Sequence, residues 1–340
     1  MGTIRIQATP QLPKHLFKGY SSIAVLVDQN TRKHCYENIK GLLPIHLVIE
    51  VPAGEKHKNL DTCQKVWEQV TSAGLDRHSL LVVVGGGVLG DLGGFCASTY
   101  KRGIDFLQVP TTLLAMADAS IGGKTGVDFG SLKNHIGTFS LPIATWIATD
   151  FLKTLPEREL RSGFAEIIKH ALISDRKLWN SIKSRSLDDQ DWLRLVRHSA
   201  KFKAGVVRKD PVEKGLRKIL NYGHTIGHAV ESHFLMRGNP ILHGEAVAAG
   251  MIMEAHIAFS KKRISRGDLD EIAGYVLNVF GKLELPGDEA ILPLIRQDKK
   301  NKGKVILMAL PKTIGKAVFD IPVSEGSIKS ATAFYRAFQT

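Results

Sequence analysis

The run Leu80-Leu81-Val82-Val83-Val84, followed at once by Gly85-Gly86-Gly87-Val88-Leu89-Gly90-Asp91, constrains the fold more than any other stretch. Five consecutive apolar residues specify a strand buried on both faces, which is the habit of parallel sheets. Glycines directly after it make a tight turn, and the residues beyond read as a helix. Gly85, Gly87 and Gly90 fit G-x-G-x-x-G, where glycines admit a pyrophosphate and a helix N-terminus favours its charge. The placement is unusual. This is not the first strand, and no acid follows at the customary spacing of about 20 residues. A tight strand-to-helix turn that binds nothing is the competing reading. Asp28, at the end of an earlier strand, offers a ribose-binding carboxylate instead. Its plainer role is turn former or helix cap in Asp28-Gln29-Asn30.

The same grammar repeats through the first 148 residues. Ile23-Ala24-Val25-Leu26-Val27 and Ile45-His46-Leu47-Val48-Ile49 read as strands, and Val66, Trp67 and Val70 give helical spacing. Phe106-Leu107-Gln108-Val109 stops at Pro110. Alternating strands and helices predict a mostly parallel nucleotide-binding α/β domain over 1–148. From 149 to 340 the spacing turns helical, so a mainly α-helical metal- and substrate-binding domain is expected there. Gly238-Asn239-Pro240 separates two helices, and 305–310 with 316–319 form a small strand pair.

With 44% hydrophobic and 23% charged residues, the chain has ordinary globular composition. It lacks an apolar signal core at its start, and no run approaches the ~18 apolar residues of a membrane span. Cys35, Cys63 and Cys96 are odd in number and widely spaced, like reduced thiols of a cytoplasmic protein. Lys and Arg outnumber Asp and Glu by 46 to 33. They are dispersed, without an aromatic-basic ladder, which favours anionic small molecules over nucleic acid.

Two clusters carry chemistry. Glu166, His224 and His243 offer two imidazoles and a carboxylate, the donor set of a catalytic zinc site with one position open. Glu166, Lys169 and His170 fall at i, i+3 and i+4, and His224 and His228 at i, i+4. That spacing allows both histidines on a metal, or one on the metal and one on a substrate. Lys169 and His170 also read as a solvated basic face, the preferred reading for His170. The second cluster is Asp118, Lys124, Lys133 and Asn134. Gly122-Gly123-Lys124-Thr125 lacks the Walker spacing, so a flexible loop bringing a lysine to a substrate phosphate is expected.

These runs resemble the 3-dehydroquinate synthase family of sugar-phosphate cyclases. The resemblance rests on 85–95, 109–115, 118–126, 154–163, 166–169, 221–228 and 242–247, and extends from about residue 20 to 310. It departs at 136–142, where Ser140-Leu141 replaces an aromatic- or histidine-glutamine pair before Pro142. The resemblance implies a homodimeric lyase using NAD and a divalent metal, normally zinc, with cobalt an alternative. The implied reaction converts 3-deoxy-arabino-heptulosonate 7-phosphate to 3-dehydroquinate and phosphate. It runs through transient oxidation by NAD, β-elimination of phosphate, re-reduction and intramolecular aldol closure, on the shikimate route to chorismate and aromatic amino acids. Glu166, His224 and His243 would bind the metal. Asp118, Lys124, Asn134, Lys169, Lys203, Glu213, Arg217, Asn221 and His228 would surround the substrate, with Lys299 or Lys300. Arg102 would reach the neighbouring subunit's site. Nucleotide contacts fall on Asp28, Asn30, Glu55, Lys58, Gly85, Gly86, Gly87, Val88, Asp91, Thr111, Thr112, Lys124, Lys133, Phe151, Thr154 and Leu155. Rival expectations are a deoxy-inosose or valiolone synthase, a metal-dependent polyol dehydrogenase, and a nucleic-acid-binding protein on a degenerate enzyme fold. Arg217 and Lys203 favour an acidic sugar over the other cyclase substrates.

Overall fold

The structure is a computed structural model. It describes residues 2–130, 132–297, 303 and 305–339; Lys299 and Lys300 lie outside the described residues. Packing divides the chain into two compact units. The first comprises 1–160 and 192–204, the second 161–191 and 205–340. The change of sequence pattern at 148/149 thus lies twelve residues before the first packing division (148 against 160), and 192–204 rejoins the first unit. That segment brings Ala200 and Ala204 onto Ile121, beside Ile4 and Ile6.

In the first unit, six strands form a fully parallel sheet: β1 (Thr3–Gln7), β2 (Ile23–Asp28), β3 (Leu47–Val51), β4 (Leu80–Gly85), β5 (Asp105–Pro110) and β8 (Ala144–Ala148). Their spatial order is β1-β8-β5-β4-β2-β3. Every residue of β4 is buried, as an unbroken apolar run requires of a strand covered on both faces. The helices Leu60–Ser72 and Gly87–Thr99 contribute Cys63, Val66, Val70, Leu89, Leu92 and Phe95 to one core with Leu26 and Val83. The expected flexible loop is instead an antiparallel hairpin, β6 (Lys124–Phe129) with β7 (Leu132–Phe139). Gly126 faces Gly137 across it, and a Cβ on Gly126 would lie 2.6 Å from the Ile136 carbonyl oxygen.

The second unit is helical. It holds most of the helix Glu157–Ser174, then Arg176–Lys183, His224–Met236, His243–Ser260, Arg266–Phe280, Asp288–Arg296 and Glu325–Arg336. The antiparallel pair β9 (Ile306–Thr313) and β10 (Lys316–Val323) completes it. Among the described residues, no helix is long and apolar enough to cross a membrane. The three cysteines are free and buried.

Candidate active site

Because all six strands of the sheet run in parallel, their C-terminal ends share one edge. From β2 the chain proceeds outward to β3, whereas from β4 it proceeds the other way to β5. A crevice opens where such connections diverge, and ligands of open α/β sheets bind there. Leu26 is in register with Val83, so Asp28 ends β2 beside Gly85 at the end of β4. The glycines divide their work. A Cβ on Gly85 would lie 2.5 Å from Leu89 Cβ, and one on Gly86 would lie 2.9 Å from Thr112 Cγ2. Gly87 and Gly90 would make only ordinary contacts, 3.5 and 3.6 Å, which leaves backbone open at the helix start. Close packing of helix on sheet falls one turn later, on Gly93, whose added Cβ would meet Val83 Cγ2 at 2.6 Å. Gly85, Gly86, Gly87, Asp91, Gln108 and Ser120 line the small cleft at this turn, and Val88 sits in the helix's first turn.

Around this turn the expected nucleotide residues fall into linked groups. Asp28 caps the helix Gln29–His34, accepting from the Thr31 N–H at 2.8 Å, which is the plainer of its two roles. Asn30 is exposed on that helix. Lys58 is buried and donates to Asp91 at 2.7 Å, with Glu55 at 3.8 Å; Lys133 reaches Glu55 at 3.7 Å. Burial opposes the charge on Lys58, yet Asp91 and Glu55 hold its pKa above the usual lysine value. Asp128, absent from the sequence expectations, joins the group. It accepts from the Asn134 N–H at 2.7 Å, and its own N–H donates to the Lys58 carbonyl at 2.8 Å. Asn134 takes a φ of 50°, a conformation asparagine tolerates. Thr111 N–H donates to the Gly85 carbonyl at 3.0 Å, and Thr112 Oγ1 accepts from the Ala115 N–H at 3.2 Å. Phe151 is buried, Thr154 Oγ1 donates to its carbonyl at 3.3 Å, and Leu155 follows the same 3-10 turn.

Besides Asn134, four substrate candidates lie in this unit: Asp118, Lys203, Lys124 and Arg102. Lys203 Nζ contacts both the carboxylate and the backbone carbonyl of Asp118, at 2.6 and 2.8 Å. Asp118 sits in a π-helical turn, Ala115–Ala119, a rare form frequent at functional sites. Lys124 is exposed at the start of β6. Arg102 stands exposed in a run of three left-handed residues, with φ of 48° at Lys101, 70° at Arg102 and 114° at Gly103.

The second unit builds a denser constellation. Glu166 is fully buried on the helix Glu157–Ser174, and neither carboxylate oxygen has a hydrogen-bond partner of ordinary geometry. His224 Nε2 and His243 Nε2 both point at Glu166 Oε1, at 3.3 and 3.5 Å. The ammonium of Lys169 pairs with Glu166 Oε2. Lys169 and His170 are 1% and 0% exposed, so the solvated-face reading is overturned: this turn of the helix faces the interior.

The outer nitrogens fix the tautomers. His224 Nδ1 lies 3.1 Å from the Tyr222 carbonyl, which only accepts, so that nitrogen carries hydrogen. His243 Nδ1 faces Glu231 Oε2 at 3.1 Å, with the same consequence. Each imidazole in its neutral form therefore presents a bare Nε2 to a carboxylate oxygen. Three electron-rich atoms facing one point fit a cation. Burial and the Lys169 charge push the His224 pKa down to about 4. Burial also works against a charge on His243, but Glu231 and Glu166 outweigh it and push that pKa up to about 10. Burial opposes the charge on Glu166 as well, yet Lys169 and the two histidines hold its carboxyl well below the usual range. His228, one turn along from His224, has its ring centroid 5.0 Å from that of His224 and 5.7 Å from that of His243.

Backbone contacts set these positions. A Cβ on Gly244, next to His243, would lie 2.5 Å from Ser162 Cα, four residues before Glu166. Gly250 would collide with the Gly223 carbonyl, and Gly227 would meet that of Ala246 at 3.0 Å. Glu254, fully buried in the helix His243–Ser260, accepts from the N–H groups of Gly223, Thr225 and Ile226 at 2.6, 3.0 and 3.1 Å. It caps the helix that begins at His224, whose own N-cap is Gly223. Nearby, Asn221 donates to Glu213 Oε1 at 2.7 Å. Arg217 is buried, donating to the Pro211 carbonyl at 2.6 Å. Glu213 has a φ of 61°. Glu231 and Glu254 were missing from the sequence expectations. A single acid inside apolar Met251-Ile252-Met253-Glu254-Ala255 is a signal, because a buried carboxylate needs partners.

The combination of a parallel α/β sheet with a glycine turn at its crevice and a mainly helical second unit is that of solved sugar-phosphate cyclases. A valiolone synthase from Streptomyces hygroscopicus, solved with NAD+ and Zn2+ bound, is 26% identical with a TM-score of 0.88, covering 99% of this chain and 97% of that one. A 2-deoxy-scyllo-inosose synthase solved with carbaglucose-6-phosphate, NAD+ and Co2+ is 29% identical with a TM-score of 0.80, covering 92% and 90%. The domain described as 3-dehydroquinate synthase N-terminal matches residues 48–162, and the C-terminal domain of the same name matches 163–301. A 3-dehydroquinate synthase of Parabacteroides distasonis is 36% identical over 324 residues, 93% of this chain and 92% of its own length. The chain belongs to the 3-dehydroquinate synthase family.

Proposed function

We propose that the chain catalyses the family reaction as an NAD- and divalent-metal-dependent lyase, with zinc the metal. It converts 3-deoxy-arabino-heptulosonate 7-phosphate to 3-dehydroquinate and phosphate. The observation that carries the metal reading is the convergence of two imidazole Nε2 atoms on one oxygen of a buried carboxylate whose other oxygen pairs with Lys169. Glu166, His224 and His243 would hold the metal. The glycine turn at β4, with Asp28, Lys58 and Asp91 around it, would hold NAD.

When bound, NAD supplies reversible hydride acceptance and zinc supplies polarisation of the hydroxyl being oxidised. The chain's own groups do the rest. His228 is outside the pair facing Glu166, and its imidazole suits proton transfer at that hydroxyl. Lys169 holds Glu166 charged. Arg217 offers a planar fork for the substrate carboxylate, with Glu213 orienting Asn221 beside it in the chain. Lys124, Asn134 and Arg102 suit the phosphate, and Asp118 sets the position of Lys203. Arg102 serves the partner's site in a cytoplasmic homodimer, where its left-handed turn projects it from the surface.

Purified chain given the heptulosonate phosphate, NAD and zinc should release one phosphate per turnover with no net NADH. NADH accumulating in step with substrate would instead identify a polyol dehydrogenase. Phosphate release from a neutral sugar phosphate, but not from the acidic one, would identify a cyclase of the valiolone or inosose type. That rival shares the fold closely, and the higher identity to the dehydroquinate synthases argues against it.

A further inference from the structure

We infer that Glu231 is a positioning residue of the metal centre, acting through His243. The helix His224–Met236 carries His224, His228 and Glu231 at i, i+4 and i+7, and so on one face. Glu231 is 8% exposed, and its Oε2 lies 3.1 Å from His243 Nδ1 on the next helix. The far nitrogen of the same ring lies 3.5 Å from Glu166 Oε1. The row carboxylate–imidazole–carboxylate leaves the ring one productive orientation. Glu231 accepts a hydrogen bond from the Nδ1–H, which fixes the tautomer and turns the Nε2 lone pair toward the point His224 also faces. An ionised carboxylate there also makes the imidazole a better donor to a dication. His224 has only a backbone carbonyl in the corresponding place. The two imidazoles are thus supported unequally, and the charge sits behind the less buried ring, whose side chain is 26% exposed against 10% for His224.

The inference rests on the reading of His243 as a metal ligand, and the test separates the two. Full-length chain is stripped of metal and titrated with Zn2+ under chelator competition and with Co2+ followed by its visible absorption. His243→Ala tests the parent reading; unchanged affinity for both ions in that variant would refute the ligand assignment. With it intact, Glu231→Ala should weaken metal binding on the order of 10- to 100-fold and alter the Co2+ spectrum. Glu231→Gln, which keeps shape and an accepting oxygen but loses the charge, should fall between wild type and Glu231→Ala. It also carries the test if the alanine variant folds poorly. Wild-type affinity and an unaltered Co2+ spectrum in Glu231→Gln and Glu231→Ala, with only the melting temperature lowered, would reduce Glu231 to a structural ion pair and overturn the inference.

Discussion

Gly244→Ala should disconnect the metal centre without touching any ligand. The added Cβ would lie 2.5 Å from Ser162 Cα and 2.6 Å from the Ser162 carbonyl carbon, where ordinary contact begins near 3.4 Å. The helices bearing His243 and Glu166 must then separate by close to an ångström, because the obstacle is backbone. Overpacking of this kind costs about 1–3 kcal/mol of stability. The functional loss should be larger in proportion, since ligand distances in metal sites hold to within about 0.2 Å. The Gly244 N–H, which donates to Ser162 Oγ at 3.0 Å, would also lose its partner. We expect zinc affinity to fall at least 100-fold while far-ultraviolet circular dichroism stays native. Chelator-competition titration and thermal melting on one preparation read both quantities. Native zinc affinity in a folded Gly244→Ala protein would show that the helix contact does not set ligand geometry.

Glu166→Ala, His224→Ala and His243→Ala should each lose zinc and turnover together, and chelation of the wild type should abolish activity until zinc or cobalt is restored; elemental analysis beside the phosphate assay decides this. His228→Ala should keep zinc yet lose about 10²–10⁴ in turnover, the usual worth of a positioned acid or base; a zinc-free variant would move His228 into the metal shell. Arg217→Lys should keep its metal and raise KM, since lysine cannot reproduce the guanidinium fork; an unchanged KM would take Arg217 off the carboxylate. Metal binding must displace the proton that Glu231 and Glu166 hold on His243, whose pKa without metal is about 10. Apparent zinc affinity should therefore climb about tenfold per pH unit across the neutral range. His224, near 4, adds no slope there; a flat profile between pH 6 and 8.5 would contradict the pairing.

The sequence made the parts with strong periodicity or fixed chemistry legible. The runs at 23–27 and 80–84 are strands of the sheet, because five apolar residues in a row have few other places to go, and 106–109 is the strand that Pro110 ends. β1 was missed because Thr3-Ile4-Arg5-Ile6-Gln7 is an edge strand of mixed polarity, and β8 because alanines dilute its pattern. The β6–β7 hairpin looked like a loop because its glycines serve close backbone approach across the pair, which sequence spacing does not distinguish from flexibility. The metal-ligand candidates were visible as residue types, but what holds them was not. Glu231 and Glu254 act across a helix pair, and single-helix spacing carries no record of a partner 12 or 28–31 residues away. His170 was misjudged because one basic residue beside another looks solvated until the helix face is known to be interior.

The cap that Glu254 provides bears on the order in which the centre forms. The helix beginning at His224 lacks a side-chain cap of its own and takes one from the following helix, across a link of only six residues between Met236 and His243. The two helices must mature as one hairpin, a local event that costs little loop-closure entropy and runs fast. Glu166 comes from 58 residues earlier (166 to 224) and joins over a much longer loop. The hairpin is therefore expected to gather the two imidazoles before the carboxylate arrives between them. Stopped-flow refolding with cobalt should register that state as an early spectrum distinct from the final one.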